Sequence, residues 1–333
     1  MKNVYQKIGL LAIGVLASIM TQAQSMTDGI FMSKNNICGG VFYTNDSWKN
    51  YWEGTLYREN KNIGTLTTQS VMAMANYGIT DRLNVLAALP YVWTKPSAGV
   101  RRGYAGFQDV SLALKYNLIQ TKHLSVIGSV GGSVPTNNYV FEDMPLSIGF
   151  GSKTVFARGI LYYTLPKDLA ITANASYTRR SNVSGDVYMY YTDRAYFSNE
   201  MTVPDVVNLG LKFGHYSFRW QLEATVDQQI TNSSLDIRRN DMPMVCDKFD
   251  FTKVGFIAAY RVPALKDLQI MLTGSQVVAG RNVGESTTLT LALTKYLDFR
   301  KNRASGVPTG PICRPGDKNH AGAMDTESTE DKH

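Results

Sequence analysis

The sequence predicts an all-β protein, a transmembrane antiparallel β-barrel of about twelve strands. Three observations support this fold class. Apolar and polar residues alternate through short segments, the connections between those segments alternate between short and long, and the amino terminus resembles a cleaved export signal. Together they favour a barrel in the outer membrane of a Gram-negative bacterium over a soluble β-sandwich, which has no reason to alternate its loop lengths.

The alternation is clearest in residues 109–118. The apolar residues fall at every second position: Val110, Leu112, Leu114, Tyr116 and Leu118. The residues between them are small or polar and include Asp109 and Lys115. Because successive side chains of a strand point to opposite sides, one face suits lipid and the other suits water. We therefore expect Leu112 and Lys115 on opposite sides of a barrel wall.

The same period of two recurs in a series of candidate strands. They are 51–59, 68–77, 83–93, 107–118, 124–134, 154–164, 169–179, 205–214, 217–229, 252–261, 268–279 and 286–296. An even number lets both termini end on one side of the membrane. Phe299 follows the last strand and is the kind of terminal aromatic residue that barrel-assembly machinery commonly reads, so the barrel is expected to span 51–299.

The connections give the orientation. Short turns rich in Gly, Pro, Asp and Lys lie at 78–82, 119–123, 165–168, 215–216 and 262–267. Mostly longer loops lie between them, at 60–67, 94–106, 135–153, 180–204, 230–251 and 280–285. Outer-membrane barrels place short turns in the periplasm and long loops outside, so both termini should be periplasmic.

The two ends of the chain differ from the barrel in composition. Lys2 and Lys7 precede the apolar run 8–20, and the small residues up to Ala23 predict a signal peptide, 1–23, cleaved after Ala23. Residues 24–50 are polar without a sustained period; they should either insert into the barrel mouth as a small plug or hang in the periplasm. Residues 300–333 have almost no bulky apolar side chains and predict a disordered periplasmic tail.

Composition argues against several classes of function. The net charge of +7 falls by two when Lys2 and Lys7 are removed, and without a basic block nucleic acid is not an expected partner. Cys38, Cys246 and Cys313 lie far apart without metal-ligand spacing, so either one disulfide or three free thiols would fit. With no phosphate-binding loop and no metal cluster, we expect no cofactor.

Three motifs carry a family resemblance: YGITDRL at 77–83, LPY at 89–91, and GFQD at 106–109 leading to Lys115-Tyr116. They resemble bacterial outer-membrane barrels of a transporter family labelled as acting in the meta-pathway of phenol degradation, distantly akin to fatty-acid and aromatic-hydrocarbon channels. The motif-bearing part spans about 51–135, and later strands match only in rhythm. The resemblance implies a channel for passive or facilitated uptake of small molecules, apolar or aromatic ones among them, but does not fix the substrate.

If the apolar faces contact lipid, the charged residues of the opposite faces line the lumen as a candidate solute path. They are Glu53, Asp109, Lys115, Arg158, Lys212, Arg219, Glu223 and Asp227. Both signs occur, so an ion-pair network that closes the interior is the alternative. Several apolar residues share the inner face and would form either a track for an apolar solute or contacts to a plug: Met72, Met74, Ile127, Phe156 and Ile160.

Three arginine pairs fall in or beside the long loops: Arg101, Arg102, Arg179, Arg180, Arg238 and Arg239. Arginine matches phosphate geometry through its forked donors, so we expect contacts to lipopolysaccharide around the rim. Attraction of an anionic solute and plain solvated charge are the alternatives. The aromatic stretch 187–197 would extend a strand hairpin or offer a stacking platform to a sugar or apolar solute.

Two other functions compete with the channel. A closed structural or binding barrel would use its aromatic external loops to hold a partner or glycan. An outer-membrane phospholipase is the enzymatic alternative, since His215-Tyr216-Ser217 resembles its His-x-Ser arrangement. The histidine and serine fall in a short periplasmic turn without a nearby Asn to orient the histidine, and we expect no catalysis.

Overall fold

In the computed structural model the chain forms a closed antiparallel barrel of twelve strands. The structure describes residues 26–299, except 187–189, 192–194, 218, 238–241, 264 and 266–267. The barrel strands are β1 (Asn36–Trp48), β2 (Leu66–Gly78), β3 (Leu83–Pro96), β4 (Asp109–Gln120), β5 (Leu124–Pro135), β6 (Thr154–Thr164), β7 (Leu169–Arg180), β8 (Val206–Tyr216), β9 (Trp220–Thr231), β10 (Asp250–Val262), β11 (Leu268–Arg281) and β12 (Thr287–Asp298). Each pairs with its sequence neighbours, and pairing of β1 with β12 closes the cylinder. The predicted signal peptide and tail lie outside the described residues.

The predicted alternation is confirmed along β4. Leu112 is 57% exposed on the outside, whereas Lys115 is fully buried inside. Leu114 and Tyr116 share the outer face with Leu112. The barrel therefore has an apolar exterior suited to lipid and an interior that carries polar and charged side chains, as in an outer-membrane barrel.

The connections also alternate as expected. Asn36 pairs with Asp298, so the first and last barrel strands begin and end at the same rim. The short turns, such as 79–82 and 121–123, lie at this rim, and the long loops lie at the opposite one. We refer to these as the periplasmic and external rims. In the described part of the chain, no helix is long and apolar enough to cross a membrane.

One strand was assigned wrongly from the sequence. The first barrel strand is β1, Asn36–Trp48, and not 51–59, so the barrel starts fifteen positions earlier than expected. Residues 51–59 instead contribute to a small external hairpin, Asn50–Glu53 with Leu56–Glu59, which turns at Gly54 with φ of 57°. The error arose because β1 is rich in polar and small residues, among them Gly39 and Gly40, which weaken the apolar period.

Further short strands belong to the external side. Ala105–Phe107 extends the sheet beside β3, and the fourth loop carries the pairs Val183–Ser184 with Glu200–Met201 and Tyr190–Tyr191 with Ala195–Tyr196. The external loops also have a hydrophobic cluster of their own, made by Phe141, Val183, Met201, Val203 and Val245. This cluster packs the third, fourth and fifth loops against one another, so these three loops form one packed unit at the external rim.

Candidate functional site

The chain upstream of β1 lies inside the barrel. Residues 26–33, which we call the internal plug, contact side chains that point inward from β4, β5, β6 and β8. At the periplasmic rim the plug is continuous with β1, and the NH of Asn35 donates to the carbonyl of Gly78 at 2.9 Å. Of the predicted segment 24–50, therefore, the first described residues fill the lumen and the rest are largely a wall strand.

Three inward cations from three strands hold the plug. The Lys115 ammonium lies 2.9 Å from the Asp28 carboxylate and donates to the Ile30 carbonyl at 3.0 Å. Arg158 donates to the carbonyl of Met26 at 3.0 Å, and the Lys212 ammonium lies 3.0 Å from the hydroxyl of Thr27. We call Lys115, Arg158 and Lys212 the lumen cation cluster. Since a buried cation needs a counter-charge, Asp28 is the electrostatic centre of the plug.

An apolar contact accompanies the ion pair. Phe31 packs against Ile127 and Ile160, both of which are about 1% exposed. The ring of Phe31 also lies beneath the Lys115 ammonium, 5.1 Å from ring centroid to nitrogen. Met32 packs nearer the periplasmic rim against Cys38 and Tyr296. Ile127 and Ile160 therefore contact the plug and do not line an open apolar track.

Two glycines let the plug approach the wall. A Cβ on Gly29 would lie 2.5 Å from the ring of Tyr162. A Cβ on Gly78, at the end of β2, would collide with the carbonyl oxygen of Ser33. Because these are contacts with a ring close to its backbone end and with main chain, no simple side-chain rotation would relieve them. The plug therefore fits the lumen only where both positions lack a side chain.

The remaining candidate lumen charges are distributed along the barrel. Glu223 is buried on the inner face of β9 and accepts a hydrogen bond from Gln221. Asp227 faces inward further along β9, beside Gly210. Asp109 lies at the external end of β4, where its carboxylate accepts a hydrogen bond from the Tyr139 hydroxyl at 2.6 Å. Burial and this hydrogen bond raise the pKa of Tyr139.

Two residues expected in the lumen lie elsewhere. Glu53 belongs to the external hairpin, where it forms an ion pair with Arg58, because 51–59 is not a barrel strand. Arg219 is exposed in the turn before β9, because that strand begins at Trp220 and the inward alternation starts only after the turn. Of the remaining candidates, Lys115, Arg158 and Lys212 contact the plug, and Glu223 and Asp227 lie along β9.

A cavity opens among the external loops, and we call it the external vestibule. It has a volume of about 610 Å³ and is lined mainly by apolar side chains, including Trp48, Ile63, Met144, Leu146 and Phe249. Five of the six external loops contribute to its wall. The vestibule is thus a space in which a small apolar molecule could be enclosed before it meets the plugged lumen.

Asn282 ties the vestibule wall together. Its side-chain NH₂ donates to Asp236 at 2.8 Å and to the carbonyl of Lys248 at 2.9 Å, and its side-chain oxygen accepts from the NH of Gly54 at 2.7 Å. Arg281 pairs with the same Asp236 and holds the pKa of that carboxyl below its usual value. One side chain therefore links the external hairpin, the fifth loop and the sixth loop.

The external arginines have different surroundings. Arg101 pairs with Asp143, whose carboxylate also accepts from the Tyr104 hydroxyl at 2.9 Å and raises the pKa of that tyrosine. Arg180 lies over the ring of Phe150, 4.8 Å from its centroid. Arg102 and Arg179 are exposed. Arg238 and Arg239, and much of the aromatic stretch 187–197, fall outside the described residues.

The residues that suggested an enzyme or a disulfide can be located in the structure, apart from Cys313. Ser217 lies in a turn, where its NH donates to the carbonyl of Trp220 at 2.8 Å. Cys38 and Cys246 are both buried and form no disulfide with each other, and burial raises the pKa of Cys246 to about 12. Cys313 lies beyond the described residues. Among residues 26–299 as described, no group of His, Cys, Asp and Glu could hold a metal ion.

Sequence reasoning identified the wall cations but missed their partner. Asp28 and Phe31 fall within a segment without strand periodicity, so neither was assigned a role. A signal was present: buried cations from several strands require an acid, and Asp28 is the first acidic residue after the predicted cleavage site.

Comparison with solved structures shows similar barrels. The chain matches an outer-membrane channel from Pseudomonas putida F1 with a TM-score of 0.65 at 15% identity, covering 83% of this chain and 100% of that one. It also matches the NanC porin with a TM-score of 0.46 at 8% identity, covering 77% and 100% of the two chains. A Pseudomonas aeruginosa FadL homologue matches with a TM-score of 0.42 at 10% identity, covering 85% and 100%. The first of these supports the barrel fold.

Sequence comparison gives the family. No curated protein is detectably similar to the chain. A family model described as "Putative MetA-pathway of phenol degradation" matches residues 62–293, from the end of the first external loop into β12. Because this match covers more than half of the chain, the protein belongs to that family.

Proposed function

We propose that the protein is an outer-membrane channel for the uptake of small solutes, and that the internal plug keeps it shut until the plug withdraws. The observation that carries this proposal is the Asp28–Lys115 ion pair, which places a segment upstream of β1 at the centre of the lumen. A barrel with an exterior suited to lipid and a segment in its interior has the parts of a gated pore.

The contacts of the plug suit a gate better than a permanent filler. Its contacts include one ion pair, hydrogen bonds from Arg158 and Lys212, and the packing of Phe31 and Met32. A buried ion pair contributes little net stability, because desolvation offsets much of the attraction. The plug is also tethered at the periplasmic rim by Asn35, so withdrawal toward the periplasm needs no break in the wall.

The external vestibule supports uptake of small and largely apolar molecules. Small-molecule sites enclose about 300–1,000 Å³, and the 610 Å³ vestibule lies within that range. Its aromatic and methionine side chains would favour an apolar or aromatic body. The proposal involves no catalysis, because Ser217 lies in a backbone turn at the end of the barrel opposite the vestibule.

A closed structural barrel is the second candidate, and the occupied lumen favours it. Planar-bilayer recordings separate the two. We would compare the wild-type protein with a variant in which 26–33 are replaced by a Gly-Ser segment of equal length. Folding of both would be checked by the heat-dependent gel shift typical of barrels. The channel proposal predicts rare openings in the wild type and a large steady conductance in the variant; a folded, inserted variant that does not conduct would favour the structural barrel.

We also propose that the external rim contacts lipopolysaccharide through Arg102 and Arg179. Of the four described arginines of the predicted pairs, Arg101 is exposed but pairs with Asp143 and Arg180 lies over Phe150, whereas Arg102 and Arg179 are exposed. Replacing Arg102 and Arg179 by Gln should weaken co-purification of lipopolysaccharide. Replacing Arg101 by Gln is the matched control and should change it less; equal losses would contradict the assignment.

A further inference from the structure

We infer that the lumen cation cluster is a binding site for a carboxylate, and that the transported solute is an apolar monocarboxylate that competes with Asp28 for it. This inference rests on the proposed channel and adds the chemical class of its solute. It follows from the charges that the plug leaves behind, and from the shape of what it presents to them.

Three cations surround the plug. Lys115, Arg158 and Lys212 converge on plug residues 26–30, where Lys115 forms an ion pair with Asp28 and the other two donate to Met26 and Thr27. Lys115 is fully buried. When the plug withdraws, three cations face the vacated space without that carboxylate. A buried charge without a counter-charge is unfavourable, so an entering anion would be favoured over a neutral solute.

The plug side chains at Lys115 also have the shape of an apolar acid. Asp28 and Phe31 both meet Lys115, the carboxylate at 2.9 Å and the aromatic ring at 5.1 Å from its centroid. The ring fills a space bounded by Ile127 and Ile160. A carboxylate and an apolar ring that contact the same cation correspond to the acid group and the apolar body of an aromatic or short aliphatic acid. The plug therefore occupies the site as such an acid would.

Arg158 has a side-chain donor that the plug does not use. The buried Nε of Arg158 has no hydrogen-bond partner among the described residues, whereas its Nη atoms donate to Met26 and Ser176. A carboxylate bound in place of the plug could take the free Nε together with Nη2, which here makes only a 3.5 Å contact with the Ser176 hydroxyl. That forked arrangement is the geometry that arginine offers to carboxylates.

The inference is tested by binding, independently of conduction. Isothermal titration calorimetry in detergent would use benzoate as the probe and benzamide as its neutral analogue. Asp28→Ala should bind benzoate at least ten-fold more tightly than the wild type, because the competing carboxylate is gone. Benzamide should bind at least ten-fold more weakly than benzoate. Asp186→Ala, which removes an exposed acid of the fourth external loop, is the matched control and should behave as the wild type.

Adding Lys115→Met to Asp28→Ala should abolish the gain for benzoate. If that double variant does not fold, Lys212→Met in the Asp28→Ala background replaces it, with at least a three-fold loss expected. Equal binding of benzoate and benzamide, or no gain in Asp28→Ala, would overturn the inference. Either result could coexist with a conducting plugless channel, whereas a non-conducting plugless barrel that still binds benzoate would refute only the channel.

Discussion

The carboxylate of Asp28 lies 2.9 Å from the ammonium of Lys115, although the two residues are 87 positions apart in the sequence. One belongs to the segment upstream of the first strand, and the other belongs to the inner face of β4. The pair joins the plug to the wall at a point where Lys115 has no access to solvent. Any change to either partner should therefore be felt both in gating and in stability.

Asp28→Asn should loosen the plug. The amide keeps the size of the side chain and can still accept from the NH of Ile30, which now lies 3.1 Å from the carboxylate, but it loses the ionic attraction to Lys115. We expect the open probability in planar bilayers to rise about ten-fold, which corresponds to about 1.4 kcal/mol. Asp28→Glu is the control that keeps the charge and should give a smaller rise. An Asn variant as closed as the wild type would argue that charge does not hold the plug.

Lys115→Met should destabilise the barrel more than the double variant Lys115→Met/Asp28→Asn does. Met fills the space of the lysine stem but leaves Asp28 buried without its cation. Breaking a buried pair from one side costs about 3–5 kcal/mol, whereas replacing both partners is often nearly neutral. Urea unfolding in lipid vesicles would compare Lys115→Met with the double variant Lys115→Met/Asp28→Asn. Equal or additive losses would show that the two residues are not coupled.

Gly29→Ala should displace the plug without changing any charge. Its new Cβ would meet the Tyr162 ring, whereas the matched Gly159→Ala puts a Cβ into open space on the outer wall. Because Met32 covers Cys38, displacement should expose that thiol. In a Cys246→Ser/Cys313→Ser background, maleimide should label Cys38 at least ten-fold faster in Gly29→Ala than in Gly159→Ala. Equal labelling rates of Cys38 in the two variants would show that the contact between Gly29 and Tyr162 does not hold the plug in place.

Asn282→Gly should open the vestibule wall while leaving the barrel intact. Asn282 has φ of 57°, which glycine adopts readily, so the substitution removes the side-chain hydrogen bonds with little backbone strain. We expect faster protease cleavage within 232–249 and an unchanged thermal transition of the barrel. Thr44→Ala, which removes a hydrogen bond within the β1–β12 wall, should leave that cleavage unchanged.

The same loop anchor should depend on pH. The hydrogen bond from Arg281 lowers the pKa of Asp236 from its usual value, so the folded form favours the ionised carboxylate. The contribution to loop order is then fully present above about pH 4 and is lost as the pH falls through the lower pKa of the folded form. Protease sensitivity of 232–249, measured with an acid-active protease, should rise below pH 3.8. In Asp236→Asn the anchor is weakened at every pH, and this dependence should disappear.

Much of the barrel was predictable, because its wall obeys one local rule. Lipid on one side and polar groups on the other impose a period of two, and Leu112 and Lys115 lie on opposite sides as that rule requires. The rule failed where the environment did not impose it. β1 has small and polar residues on both faces, among them Gly39, Gly40 and Asn45, so its period is weak, and the hairpin at 50–59 outside the barrel has aromatic residues that imitate a wall strand.

The site was only half predictable for a related reason. Lys115, Arg158 and Lys212 were visible as inward cations because they interrupt apolar strands. Their convergence on one segment depends on barrel closure and strand register, which bring β4, β6 and β8 around the same point. No local pattern distinguishes Asp28 or Phe31 from other residues of a polar segment. The inward cations implied that an acid was needed, but only the tertiary contacts assign that role to Asp28.

State-dependent chemical modification tests the gate most directly. Thr27→Cys would be made in a background with Cys38, Cys246 and Cys313 changed to Ser, and a charged, membrane-impermeant thiol reagent would be added during bilayer recording. If withdrawal of the plug opens the pore, modification should occur during openings and lock the channel open, because the bulky charged product cannot return beside Lys212. Complete modification of the introduced thiol, verified by mass spectrometry, with no change in current would contradict gating by residues 26–33.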